Sequence, residues 1–260
     1  MKTYSKTLIW IAAVSAVIVG GLFVAFNYDS ISASIAAKRE RAKLRKQLSQ
    51  IQVDTTAIDC FHNIILMDQS GSMSSLRETA IDGAQEIINS IRVTQDTIKN
   101  AGQNLTLAFF DGAQELRLKY VVENQPIGDA IADLKQYSPD GNTPLHDAIG
   151  TVIMNHLPKV GPHDYVMMTI ITDGLENASQ KYYAADIKAI VDSLSAKNWA
   201  FTYIGANQDA ILEGGRIGIR DSYNYDNTRS GYRRMIGSEN LRRNHEISRI
   251  TNQRGRKNGK

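Results

Sequence analysis

Cysteine is all but absent. The 260 residues hold one, Cys60, so no disulfide can close within the chain and its stability must come from packing. Cys60 leads into a buried-looking strand and reads as a small core residue rather than a reactive thiol. Zinc-ligand spacing is missing too, because His62, His156 and His163 stand in no metal-ligand pattern with one another. The nucleophile elbow G-x-S-x-G does not occur, which argues against Ser70 as the nucleophile of a hydrolase. The glycines at 71, 174 and 205 form neither a P-loop nor a dinucleotide fingerprint, which removes the route to nucleotide chemistry. No internal repeat or low-complexity tract is present. Together these absences point away from an enzyme.

The net charge of +3 hides a division. Residues 1–57 carry eight Lys or Arg against three Asp or Glu, a net of +5. Residues 58–228 carry 12 against 22, a net of −10, and residues 229–260 carry 10 against two, a net of +8. An acidic domain is thus bracketed by two basic arms. The organisation expected is an amino-terminal tail and membrane anchor at 1–27, a basic stalk at 28–57, one α/β domain at 58–228 and a basic tail at 229–260.

Leu8 to Phe26 is apolar except for Ser15 and glycines. As a helix its 19 residues would span roughly 28 Å, about the thickness of a bilayer core. Trp10 and Tyr28 stand where interfacial aromatics belong. The run is longer than the apolar region of a signal peptide and no clean cleavage site follows, so an uncleaved single-pass anchor in the cell membrane is expected. Lys2 and Lys6 place the amino terminus inside, and the flank from Asn27 to Ala37 carries no Lys or Arg. That favours an exported domain, although the basic cluster Lys38 to Lys46 pulls the other way. Ile35 to Ile51 reads as a basic helix with Leu44, Leu48 and Ile51 along one side, a solvated stalk rather than a lipid-lying helix. The carboxyl-terminal arm reads as a solvated tail, helical over about 231–243. Phosphate-bearing ligands are conceivable for it, anionic lipid or, for a cytoplasmic domain, nucleic acid, but Tyr232 alone could stack a base, so nucleic acid is poorly supported.

From residue 62 onward, strand-like and helix-like stretches alternate, the signature of a parallel sheet with helices on both faces. Strands are expected at 62–67, 104–110, 115–122, 165–172, 199–204 and around Tyr223–Tyr225, with Asp111-Gly112 as a hairpin turn. Helices are expected at 75–93, 126–134, 143–157, 182–197 and 207–212, with Thr143 capping the third and Pro144 starting it. Oxygen-bearing residues gather where strands run out. Ile64-Ile65-Leu66-Met67 ends at Asp68-Gln69-Ser70-Gly71-Ser72, and Val166 to Thr172 ends at Asp173-Gly174, while Thr143 lies in the loop Pro139 to Pro144. In an open parallel sheet, ligands bind at the carboxyl ends of strands, and an all-oxygen set suits Mg²⁺ or Mn²⁺.

Asp68-x-Ser70-x-Ser72 with a later Thr143 and a later Thr172-Asp173-Gly174 resembles the metal-ion-dependent adhesion site of von Willebrand factor A (vWA) domains. The resemblance covers about Ile58 to Ile219. It is nearest to a bacterial and phage branch through Gly141 to Ile149 and Gly205-Ala206-Asn207-Gln208-Asp209-Ala210. It implies a doubly wound α/β fold, mostly parallel with one antiparallel edge strand. It also implies that Ser70, Ser72 and Thr143 bind the ion directly, while Asp68 and Asp173 hold bound waters. An ion with no direct carboxylate keeps its affinity for one supplied by a partner's Asp or Glu, so Mg²⁺-dependent binding of an acidic protein is the expected function. Two other readings stand beside it: a regulatory or assembly subunit coupling a membrane complex to an ATPase or transporter, and a structural module whose ion only orders loops. His146, one helical turn past Thr143, could approach the site or simply pack on its helix. Asn207-Gln208-Asp209 reads as a helix cap or, less simply, as a specificity contact beside the metal.

Overall fold

Along the first strand, successive side chains turn to opposite faces of the sheet. Ile64 and Leu66 enter one apolar cluster, and Ile65 and Met67 enter another. A strand buried on both faces belongs at the centre of a sheet, and this one is central. The computed structural model describes residues 32–53, 58–98, 101–113, 115–173, 175–206, 210–225 and 229–257.

The strands are β1 (Cys60–Asp68), β2 (Gly102–Gly112), β3 (Leu116–Pro126), β4 (Asp164–Thr172), β5 (Trp199–Ala206) and β6 (Asp221–Tyr225). They form one sheet in the order β3-β2-β1-β4-β5-β6, parallel throughout except for the antiparallel pair β2–β3 at one edge. The helices are α1 (32–50), α2 (Arg77–Thr97), α3 (Leu145–His156), α4 (Ala184–Ser195), α5 (Ala210–Arg216) and α6 (Arg229–Lys257). Helices α3 and α4 lay Ile149, Val152, Ile153, Ile187, Val191 and Leu194 on the face that carries Ile64 and Leu66. Helix α2 covers the opposite face with Ala80, Ala84, Ile87, Ile88 and Ile91, spaced three and four apart as a helix stripe requires. The expected doubly wound α/β architecture with one antiparallel edge strand is therefore present.

Four expectations need correction. No helix forms at 126–134: β3 runs through to Pro126, which an edge strand tolerates, and a turn and a short 3₁₀ segment at Leu134–Gln136 follow. The turn between β2 and β3 is not at Asp111-Gly112, since both residues are still paired with β3. Gly112 is there for close approach: a Cβ would lie 2.9 Å from the Glu115 carbonyl and 3.0 Å from Pro144. The stalk is not solvated from Leu44 on, because Leu44 and Leu48 are buried in the α3/α4 core and Lys197 Nζ donates to the Leu48 and Ile51 carbonyls. Nor is the carboxyl-terminal arm a free tail. Helix α6 buries Met235, Ile236, Glu239, Arg243 and Ile247, a stripe at helical spacing that hydropathy hides because two of its members are charged. The run Leu8–Phe26 lies outside the described residues, among which no helix is long and apolar enough to cross a membrane.

Candidate metal centre

The strand order makes a crevice before any side chain is considered. From β1 the chain winds outward through β2 and β3, and from β4 it winds the other way through β5 and β6. Between β1 and β4 the winding reverses, so their carboxyl ends diverge into loops and leave the gap where α/β sheets bind ligands. Asp68 is the last residue of β1, and Asp173 immediately follows β4.

Hydrogen bonds join four of the five expected ligands in one chain. The Asp68 carboxylate is fully buried, accepting from the Ser70 N–H at 2.7 Å and the Thr172 hydroxyl at 2.6 Å. Ser70 Oγ and Ser72 Oγ lie 3.1 Å apart, and Ser72 Oγ donates to Asp173 Oδ1 at 2.8 Å. Burial drives the Asp68 pKa up to about 6, opposed by the bonds from Thr172 and Ser70 and helped by the Asp173 charge. Burial raises the Asp173 pKa as well.

Thr143 arrives differently. It is buried, and it is fixed by its backbone: its N–H donates to Asn177 Oδ1 at 2.9 Å and its carbonyl accepts from the Asn177 N–H at 3.2 Å. It does not cap α3 with its side chain; Pro144 holds the cap position. The loop before it is strapped to the first loop, with Gly71 N–H donating to the Gly141 carbonyl at 2.9 Å and Asn142 and Gly112 exchanging N–H···O bonds of 2.6 and 3.1 Å. Gly141 has φ +77° and presses so close to the Gly112 carbonyl that a Cβ there would clash.

Sequence reasoning missed several residues that build this frame. Tyr137, fully buried, donates its hydroxyl to the Asp68 carbonyl. Glu176 accepts from the N–H groups of His146, Ala178 and Ser179 at 2.8, 2.8 and 2.6 Å, which ties the β4 loop to the amino end of α3 and lowers the Glu176 pKa despite burial. Asp147 takes the N–H groups of Gln180, Lys181 and Tyr182 at 2.8 to 2.9 Å. A carboxylate in the first turn of a helix was the available signal for Asp147, but its true work is to hold the loop opposite. His146 packs at the start of α3 with its Nδ1 3.5 Å from Glu176, and burial lowers its pKa; among the described residues no hydrogen bond or ion pair joins its ring to the five expected ligands. Residues 207–209, read as a cap, lie outside the described residues.

The other titratable candidates go elsewhere. His62 and His156 meet at 3.2 Å at the far end of the strands, with Asp164 3.1 Å from His62. Among the described residues, no group of three or more His, Cys, Asp or Glu could hold a metal. Cys60 is half-buried at the start of β1 rather than in the core, and burial pushes its thiol up to about 11, away from the reactive thiolate.

No family model and no curated protein matches the chain. Solved structures do. Proximal thread matrix protein 1 from the mussel byssus matches with a TM-score of 0.50 at 14% identity, over 72% of this chain and 46% of that one, so the chain spans about half the length of that relative. Manganese-loaded TRAP protein from Plasmodium vivax matches with a TM-score of 0.50 at 18% identity, over 71% and 72%. The SpRpn10 VWA domain matches with a TM-score of 0.50 at 12% identity, over 70% of this chain and 95% of that one. At these identities the likeness speaks for architecture, and the architecture is that of a vWA-like domain.

Proposed function

We propose that this chain is a membrane-anchored binding module that grips an acidic protein through a divalent cation, Mg²⁺ or Mn²⁺. Ser70, Ser72 and Thr143 would hold the ion through hydroxyl oxygens, and Asp68 and Asp173 would balance its charge through bound water. The observation that carries the reading is the hydrogen-bonded row Asp173–Ser72–Ser70 beside the buried Asp68, at the switch point of the sheet. Such a set of oxygens suits a hard cation, which would also reverse the cost of burying two carboxylates together. With the carboxylates held back, the ion would supply a site for one more anionic oxygen. The loops are also joined by direct hydrogen bonds at Gly71, Gly112, Gly141, Asn142 and Asn177, which supports a binding role for the ion over loop ordering alone. Anchoring rests on the apolar run Leu8–Phe26, and an exported orientation rests on a flank, Asn27 to Ala37, without Lys or Arg.

The test is capture from membrane extract by the full chain in Mg²⁺ and in EDTA, beside Thr143→Ala and Asp173→Ala. A protein held only by the wild type with Mg²⁺, and competed by soluble acidic peptide, is the expected outcome. Identical capture in every arm would sink the reading.

A further inference from the structure

Three ligands of the proposed ion come from two separate loops, so something must set the distance between them. Ser70 and Ser72 ride on the turn after β1. Thr143 ends a stretch from Tyr137 that has no helix or strand of its own beyond one bridging pair, Asn142 with Gly112.

We propose that Gln69, Asp111 and Arg117 are positioning residues that fix this distance and thereby favour a small, rigidly coordinated ion over a larger one. The inference rests on the metal reading above. Gln69, between Asp68 and Ser70, has every polar group engaged. Its backbone N–H donates to the Phe110 carbonyl at 2.7 Å and its carbonyl accepts from the Asp140 N–H at 2.8 Å. Its side-chain Oε1 accepts from the Ser138 N–H at 3.1 Å, and its Nε2 donates to Asp111 Oδ2 at 2.9 Å. One residue thus grips the Thr143 loop at two points while anchoring to the end of β2.

Asp111, 4% exposed, closes the other side. Its second oxygen accepts from Arg117 Nε on the edge strand β3, and Arg117 Nη2 reaches back to Asp140 Oδ2 at 3.4 Å. The circuit runs from Gln69 through Asp111, Arg117 and Asp140 to Gln69 again. None of these side chains is among the ligands, so they act through the loops. The planar guanidinium can serve two carboxylates at once, which a single ammonium could not do with the same geometry.

Mg²⁺ demands a near-ideal octahedron at about 2.0–2.1 Å, whereas Ca²⁺ accepts six to eight oxygens at about 2.3–2.6 Å in flexible arrangements. A pair of loops locked at one spacing serves the first ion, and loops free to part still serve the second. Cutting the circuit should therefore hurt Mg²⁺ more than Ca²⁺, a signature that general loosening of the fold would not give.

The experiment titrates the full chain, as wild type, Gln69→Ala and Arg117→Ala, with Mg²⁺ and separately with Ca²⁺ by calorimetry, after melting without metal has shown which variants are folded. Each variant should lose about 10- to 100-fold in Mg²⁺ affinity, the usual effect of removing an outer-sphere support, with a clearly smaller loss for Ca²⁺. Should Arg117→Ala not fold, Gln69→Ala decides alone, since it leaves the Asp111–Arg117 pair in place. Unchanged Mg²⁺ affinity, or equal losses for both ions, overturns the positioning role while leaving the metal site standing. A wild-type chain that binds neither ion removes the metal reading and this inference together.

Discussion

Beneath α3 and α4 the central strands present Ile64, Leu66, Val166, Met168, Ile170 and Phe201, all apolar. Beneath α6 the same three strands present Asn63 on β1, Thr169 on β4 and Thr202 on β5, all buried and all polar. Facing them, Arg243 Nη1 donates to Asn63 Oδ1 at 2.6 Å and Nη2 to Thr169 Oγ1 at 2.8 Å. Glu239 accepts from Thr169 Oγ1 at 3.2 Å and from Arg242 Nε at 2.9 Å, and Arg242 also donates to Thr202 Oγ1. Apolar rows above and below, Met235 and Ile236 on one side and Ile247 with Phe61 and Met167 on the other, seal this layer from water. One sheet thus carries two kinds of helix contact. Apolar packing is non-directional and accepts small slides; a layer of donors and acceptors is satisfied in one register only.

The largest effect is expected where the polar layer is opened. Arg243 is 1% exposed and burial pulls its pKa down to about 10, so its charge is expensive. Its approach to Glu239, 3.7 Å, is too long for a hydrogen bond, and its Nε has no partner among the described residues. Arg243→Ala would strand Asn63, Thr169 and part of the Glu239 charge, at about 3–5 kcal/mol. Glu239→Ala would leave the guanidinium uncompensated at a similar cost. In urea unfolding the double variant should lose clearly less than the two single losses added, because the second change removes the group that the first leaves unpaired. Additive losses would mean that the layer is a set of separate contacts and that the contrast between the faces is overstated.

This layer also marks what the sequence could tell. Hydrophobic periodicity finds α2, α3 and α4 because their inward positions are apolar, and it finds β1 and β4 because they are apolar on both faces. It misreads α6, whose inward stripe Ile236–Glu239–Arg243–Ile247 is half charged and looks solvated. The gathering of Asp68, Ser70, Ser72 and Asp173 was legible because oxygen-bearing residues stand in the sequence where two apolar strands run out. Their supports were not. Gln69, Asp111, Arg117, Tyr137, Glu176 and Asn177 are ordinary polar residues individually, and each gains its task from a partner that is distant in the chain and met only when the sheet forms. The same holds for Pro126, read as a helix start until the edge strand claims it.

A second, smaller polar pair tests whether burial alone makes such places fragile. His156 sits against His62, Trp199 and Lys159 near the opposite end of the strands, and burial, with help from the charges of His62 and Lys159, drops its pKa from 6.5 to about 3. In the unfolded chain the imidazole takes its proton near 6.5. Between those values the unfolded state binds more protons than the folded one, so stability is full above pH 6.5 and is lost as pH falls toward 3. From pH 7.5 to 5 the loss from this group is about 2 kcal/mol, discounted somewhat for its residual exposure. His156→Phe should flatten that part of the stability–pH curve. An unchanged slope would show that His156 is not what makes this corner acid-sensitive.

The smallest change belongs on the apolar face, and it is the one that can break the contrast. Ile153 on α3 is fully buried in the core with Val152, Ile149 and Leu194, and has no hydrogen-bonding group to strand. Ile153→Val removes one methylene and should cost about 0.5–1.5 kcal/mol, seen as a lower urea midpoint at an unchanged slope. The neighbours can close part of the gap, since dispersion contacts re-form in any direction, and amide exchange in α6 should not change. Removing the Arg243 side chain, by contrast, should speed exchange along α6 before global unfolding, because the register is lost locally. A loss for Ile153→Val near that of Arg243→Ala, or α6 amides that respond to both alike, would show the two faces to be a single mechanical unit. The polar layer would then be a feature of composition with no special hold on the helix.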